Sequence, residues 1–160
     1  LSTLHTNSAP ETITRLLDLG LDPVNFSDAL LGVLAQRLMR TLCPKCKAPY
    51  KPPQKELDHL VDAYGEEDFK TLNIDLDTVE LMGPVGCTDC GDTGYKGRTG
   101  IHELLIGTNE LQALIYKKAE LALIREQALS DGMRTMKQDG IEKIFAGLTD
   151  YIQLLRVVAE

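Results

Sequence analysis

Four cysteines occur in the 160 residues, as Cys43-Pro44-Lys45-Cys46 and Cys87-Thr88-Asp89-Cys90, and none stands outside these pairs. A two-residue gap lets both sulfurs of a pair turn toward one point. Two such pairs supply the donors of a structural zinc site, with four Zn–S bonds of roughly 2.3 Å in a tetrahedron. Four protein thiolates leave no open coordination position, so the expected role is structural. A rubredoxin-like iron or Fe–S site uses the same donors, and disulfides or unliganded thiols are the remaining readings. Disulfides fit a reduced cytosolic chain poorly. Forty residues separate Cys46 from Cys87, against about 15 to 20 in common zinc ribbons. The chain must leave the metal, fold something small, and return.

Composition narrows the class. An apolar content of 43% is enough for a core, and 160 residues fit one domain or part of a larger one. A formal charge of −7 opposes a nucleic-acid partner bound through a broad basic face. No apolar run approaches the ~20 residues of a membrane-spanning helix, and Leu1-Ser2-Thr3-Leu4-His5 does not read as a signal peptide. The expectation is a cytoplasmic segment without a transmembrane helix. The first residue is Leu, so a fragment of a longer protein is expected.

The elements that must position the cysteines follow from spacing and punctuation. Leu1 to Asn7 reads as the end of a strand entering a loop that holds His5. Ser8-Ala9-Pro10-Glu11 reads as a helix start, with Ile13, Leu16 and Leu17 on one face and Gly20 as the stop. Asp22-Pro23 opens a second helix, in which Phe26, Leu30, Leu34 and Leu38 recur at near-helical spacing to about Arg40. Between the pairs, Leu57, Leu60, Val61 and Tyr64 predict a weak helix ending at Gly65, with a short helix around Phe69 and Leu72. The segment from Glu66 to Asp77 is acidic and reads as a small, mostly exposed insertion. Val79 to Met82 predicts a strand returning to the metal. Gly91, Gly94, Gly97 and Gly100 predict a loop held by backbone geometry, and Thr99 to Ile106 a strand with Ile101, Glu103 and Leu105 on one side. Helices are predicted over 109–118, 121–130, 135–146 and 150–159, the last capped by Thr149.

Taken in order, Ser2-Thr3-Leu4-His5-Thr6-Asn7-Ser8-Ala9, Ala35-Gln36-Arg37-Leu38, the two Cys-x-x-Cys pairs, Gly94-Tyr95-Lys96-Gly97-Arg98-Thr99-Gly100-Ile101-His102-Glu103 and Gly147-Leu148-Thr149 resemble the C-terminal part of a type II secretion or type IV pilus assembly ATPase, the GspE/PilB kind. The resemblance covers nearly the whole chain. It implies an α/β fold: the C-terminal portion of a RecA-like P-loop NTPase domain (1–42), a tetracysteine zinc-binding subdomain with an acidic insertion (43–98), and a strand plus helical C-terminal region (99–160). It further implies a homo-hexameric motor, cytoplasmic and peripheral to the bacterial inner membrane, driven by ATP and Mg and pushing on inner-membrane platform proteins. The chain contains no G-x-x-x-x-G-K-[ST], hence no phosphate cradle of that type. The resemblance places that motif upstream of His5, so the parent is expected to be an ATPase and these residues alone inactive. A stand-alone zinc-dependent interaction module is the alternative; a zinc-ribbon nucleic-acid binder is disfavoured by charge.

The resemblance also assigns roles. Cys43, Cys46, Cys87 and Cys90 become zinc ligands, clamping the end of the second helix to the glycine loop. His5, otherwise an ordinary loop histidine, becomes a sensor of nucleotide state near the γ-phosphate. Arg98, otherwise a solvated loop arginine, becomes a group that stacks on the nucleotide base. Arg37 and Arg40 read equally as cations at a helix C-terminus or as an intersubunit contact. His59 is expected on the exposed insertion helix and His102 on a strand, neither spaced to replace a zinc cysteine. Ile152 and Gln153 stand where the family carries acidic residues, which counts against a capping box there.

Overall fold

The computed structural model describes residues 1–158, and the chain folds as two units. Residues 1–36 and 102–135 form the first, and residues 37–101 with 136–158 form the second. Two long strands, β1 (Gly32–Leu42) and β4 (Tyr95–Ile106), pass through both units and pair with each other. Gly107 N–H donates to Leu31 O near one end and Cys43 N–H to Gly94 O at the other, both at 2.9 Å, so the strands run antiparallel.

The first unit begins with α1 (Ala9–Asp18). Ser8 caps it by accepting the Glu11 N–H at 3.3 Å, and Pro10 sits in the first turn. The buried Glu103 carboxylate accepts the Ala9 N–H at 2.8 Å, placing negative charge at the positive end of the helix. In α2 (Pro23–Ala29), Asp22 caps through the Asn25 N–H at 3.0 Å. Helices α5 (Asn109–Tyr116) and α6 (Leu121–Ser130) complete the unit. Ile13, Leu105, Leu111, Ile115 and Ile124 form its core.

The second helix ends at Ala29, well short of the Arg40 expected for it: Leu30 has ψ 114° and β1 begins at Gly32. The stripe Phe26, Leu30, Leu34, Leu38 advances by four, a step that fits a helical face and equally one face of a strand, since four is twice the strand period. Its two strand members lie on the solvent face, with Leu34 59% and Leu38 55% exposed, whereas Met39 is buried. Arg37 and Arg40 are therefore strand residues, with no helix C-terminus to stabilise. The strand expected over 1–7 is also absent: residues 1–6 carry no regular structure, because no described segment supplies a hydrogen-bonding neighbour.

In the second unit, β2 (Ala48–Tyr50) pairs antiparallel with β3 (Leu81–Gly83), Pro49 facing Met82. Between them lie α3 (Gln54–Tyr64), which stops at Gly65 as its sequence predicts, and α4 (Glu66–Lys70). The helical end is α7 (Met136–Phe145) and α8 (Tyr151–Val158); Ala159, expected in the last helix, lies outside the described residues. Thr149 does not cap that helix. Asp150 Oδ1 accepts the Gln153 N–H at 2.9 Å, while Thr149 Oγ1 donates to Arg40 O at 2.8 Å. The glycine loop is also shorter than expected, since β4 starts at Tyr95 and takes in Gly97, Arg98 and Gly100.

The acidic segment 66–77 is mostly exposed, as expected, but Phe69 within it and the apolar face of α3 before it pack against α7. Leu57, Leu60, Tyr64 and Phe69 are buried. Tyr64 OH donates to Glu142 Oε1 at 2.7 Å, Gln138 Nε2 donates to Tyr64 O at 2.8 Å, and Phe69 stacks edge-on against Tyr64 and Phe145. This packing makes a direct prediction. Leu60→Ala should lower unfolding free energy by about 2–5 kcal/mol, the range for emptying a core position; a change under about 0.5 kcal/mol in chemical denaturation, typical of surface sites, would contradict it.

Candidate metal centre

Each cysteine pair sits where a regular element ends. Cys43 follows the last residue of β1, and its carbonyl accepts the N–H groups of Cys46 and Lys47, folding the first pair into a tight turn. Cys87 precedes a single 3-10 turn, Thr88–Cys90, after which Gly91 adopts the left-handed conformation and Asp92 N–H returns to Cys87 O at 2.9 Å. The four sulfurs thereby lie within 4.8 Å of one another. Cys43 to Cys87 is 4.0 Å, Cys46 to Cys90 3.9 Å and Cys87 to Cys90 3.8 Å. A tetrahedron with bonds of about 2.3 Å has sulfur–sulfur edges of about 3.8 Å. The donor set and its spacing can hold one metal ion.

Backbone N–H groups aim at the sulfurs. Gly86 N–H donates to Cys46 Sγ at 3.3 Å, Gly94 N–H to Cys90 Sγ at 3.2 Å and Cys87 N–H to Cys90 Sγ at 3.3 Å. Two of these donors must be glycine. Gly86 has φ 111° and Gly94 φ 77°, and a Cβ would sit 2.9 Å from Asp92 O at the first and 2.5 Å from Pro84 Cβ at the second. Burial pushes the Cys46 thiol up to about 11, with Gly86 N–H opposing and the neighbouring thiols adding. Burial also acts upward at Cys90, but the N–H groups of Cys87 and Gly94, with the thiols of Cys87 and Cys46, bring it down to about 6.

Sequence reasoning missed the charges around the sulfurs. Asp89, inside the second pair, accepts Lys45 Nζ from the first pair at 2.9 Å and Lys96 Nζ at 2.6 Å. The lysines hold its carboxyl below the usual range, Lys96 before Lys45. Lys96 is in turn held protonated by Asp89 first, then by Cys43 and Cys87. These half-exposed pairs add little stability by themselves, but they set two ammonium groups beside thiolates that need counter-charge. The signal in the sequence was the presence of Lys45 and Asp89 at the inner positions of the two pairs.

Of the remaining candidates, His5 is exposed in the first unit, lining an open polar cleft of about 300 Å³ with Glu11, Arg15 and Asp18. Arg98 is exposed on β4 in the second unit. Arg40 lies over the Tyr95 ring, 4.8 Å from its centre, a contact not read from the sequence. His59 is exposed, with Nδ1 3.0 Å from Tyr151 OH, and His102 is exposed on β4; neither joins the sulfur cluster.

The sequence profile of the type II/IV secretion system protein family matches residues 1–156. The chain belongs to this family. It is 42% identical over its whole length to the type II secretion system protein E of Dickeya dadantii and to the type II secretion system ATPase E of Vibrio cholerae, spanning 29% of each. It is 41% identical to the type IV pilus assembly ATPase TfpB of Acinetobacter baylyi, over 99% of the chain and 26% of the relative. The chain thus spans less than a third of these relatives. No described helix of this family member is long and apolar enough to cross a membrane.

The sulfur geometry predicts how metal loads. Near pH 7 the metal-free cluster holds a thiolate at Cys90 and a protonated thiol at Cys46, so a metal taking all four sulfurs must displace protons. Under reducing conditions Co²⁺ should bind one per chain, with thiolate charge-transfer absorption and tetrahedral visible bands. Binding should release protons, so apparent affinity should rise with pH, and Cys46→Ser should weaken binding and reduce the thiolate charge-transfer absorption, one sulfur being replaced by oxygen. A purely octahedral spectrum would contradict the tetrathiolate geometry.

Proposed function

We propose that the chain is the C-terminal part of a hexameric ATPase motor that powers type II secretion or type IV pilus assembly, working at the cytoplasmic face of the bacterial inner membrane against platform proteins there. The observation that carries this reading is alignment of the entire chain, at about 42% identity, with proteins named as secretion and pilus assembly ATPases. In this reading residues 1–42 and 99–160 belong to and flank a RecA-like core, and residues 43–98 form its metal-binding subdomain. The phosphate cradle and the Mg-binding acidic group lie in the upstream part of the parent, and these residues alone do not hydrolyse ATP.

The metal in this reading is zinc, held by Cys43, Cys46, Cys87 and Cys90. Filled S₄ coordination gives it a fixing role with no position for water. The chemistry of the donors supports zinc, which accepts a tetrahedral thiolate set without redox cost. His5 supplies the nucleotide-state contact: an imidazole can donate to a phosphate oxygen when nucleotide is present and lose that partner when it leaves. Arg98 supplies a planar cation for the nucleotide base.

Full-length protein separates these roles. His5→Ala should lower kcat for ATP hydrolysis with little change in ATP affinity; undiminished hydrolysis would remove the sensor role. Arg98→Ala should weaken ATP binding about threefold to tenfold, the cost of one partly desolvated stacking contact. Unchanged affinity would take Arg98 out of the nucleotide site.

A further inference from the structure

A cavity of about 390 Å³ opens in the second unit, between β2, the residues that follow β3 and the first turn of α8. Pro49, Pro84, Val85 and Ile152 make it largely apolar, and Val85 and Ile152 are 65% and 53% exposed, so apolar surface extends beyond it. Two carboxylates, Glu56 and Asp150, also line it, and among the described residues no Lys, Arg or His does. Asp150 is buried: Oδ1 takes the Gln153 N–H and Oδ2 takes Tyr95 OH. Glu56 Oε1 accepts Tyr50 OH at 2.5 Å. Burial first, then Glu56 and Asp150, push the Tyr50 phenol up. Two aromatic rings, Tyr50 and Tyr151, complete the lining.

An apolar cavity lined by two carboxylates and, among the described residues, by no cation carries a negative potential that a cationic guest complements. The geometry points to a recognition site for an arginine side chain, presented within a short apolar stretch of a partner polypeptide. The methylene stem matches the apolar walls, while a planar guanidinium can stack on a tyrosine ring and donate two N–H groups to one carboxylate. Lysine meets these requirements less well, since its ammonium is strongly hydrated and has no flat face. Leucine or isoleucine beside the arginine would cover Val85 and Ile152. The metal centre takes part as a scaffold: β2 begins two residues after Cys46, and Val85 stands two residues before Cys87. Both walls are therefore tethered to the sulfur cluster, and filling it sets their separation. The arginine site does not rest on the motor reading, while its scaffold rests on metal occupancy.

The test is a titration of the ¹⁵N-labelled, zinc-loaded chain with Ac-Leu-Arg-Leu-NH₂ and with the same peptide carrying neutral citrulline. The arginine peptide should give saturable shifts concentrated at the amides of Ala48, Tyr50, Val85, Tyr151 and Ile152. Citrulline should bind at least about tenfold more weakly, since it keeps the shape and loses the charge. Glu56→Gln should weaken the arginine peptide by a similar factor while the rest of the spectrum superimposes, a control that Asp150→Asn does not offer because Asp150 also caps α8. Removing the metal should weaken binding again. Equal affinity for the citrulline peptide, shifts centred elsewhere, or no saturable shift would overturn the arginine site. Unchanged affinity after complete metal removal would overturn the scaffold.

Discussion

The convergence of four sulfurs is the constraint on which the second unit depends. Its β2–β3 sheet has two strands of three residues each, too few to persist alone in water, and the chain between them is a long excursion. Closing that excursion in the unfolded chain costs entropy that grows with its length; a metal joining Cys43 and Cys46 to Cys87 and Cys90 supplies a cross-link at the base of the loop. Electrostatics gives a second reason for metal. Four thiolates within 4.8 Å cannot all ionise in its absence, and the opposite shifts of Cys46 and Cys90 express that conflict. A divalent ion removes it, and Lys45 and Lys96 stand where the residual negative charge would lie.

What could be read in the sequence was local chemistry. Ser8 and Asp22 stand at the two helix starts read from the sequence and cap them, because their hydroxyl or carboxylate reaches an N–H three residues on and needs nothing from elsewhere. The span 121–130 has its expected limits. Ile101, Glu103 and Leu105 share the buried face of β4, since alternation is a property of the strand itself. The cysteines were legible as a group of metal donors because two-residue gaps are short enough for local geometry to decide where sulfur points.

What could not be read depended on partners far along the chain. β2 contains Pro49 and is defined by its pairing with β3, so no local pattern marks it. The stripe on α3 looked weak because α7, far along the chain, also supports it through Glu142 and Gln138. Beyond Leu30, a four-residue apolar step fitted helix and strand alike, and Gly32 was the one local mark against helix. The cap of α8 was misread by one residue: Thr149 is drawn off by the Arg40 carbonyl, a contact spanning most of the chain, and leaves the capping to Asp150. Glu56 and Asp150 acquire their shared setting only when β2, β3 and α8 come together.

The replacement of the expected helix by β1 changes what the cysteines accomplish. A strand joined to one neighbour can slip, and a slip of one residue turns every side chain to the opposite face. Here that would bring Leu38 and Arg40 inward and expel Met39, which is fully buried. The bond from Cys43 N–H to Gly94 O is a rung of the β1–β4 ladder next to the sulfur cluster, and Gly94 also donates to Cys90 Sγ. One glycine thus belongs both to the end of the ladder and to the cluster. A metal bound there pins the register of the two strands where they would otherwise fray. Arg98, four residues beyond Gly94 on β4, takes its face from that register. A metal held by the four sulfurs would thus fix which way the exposed cations of the strand point without touching any of them.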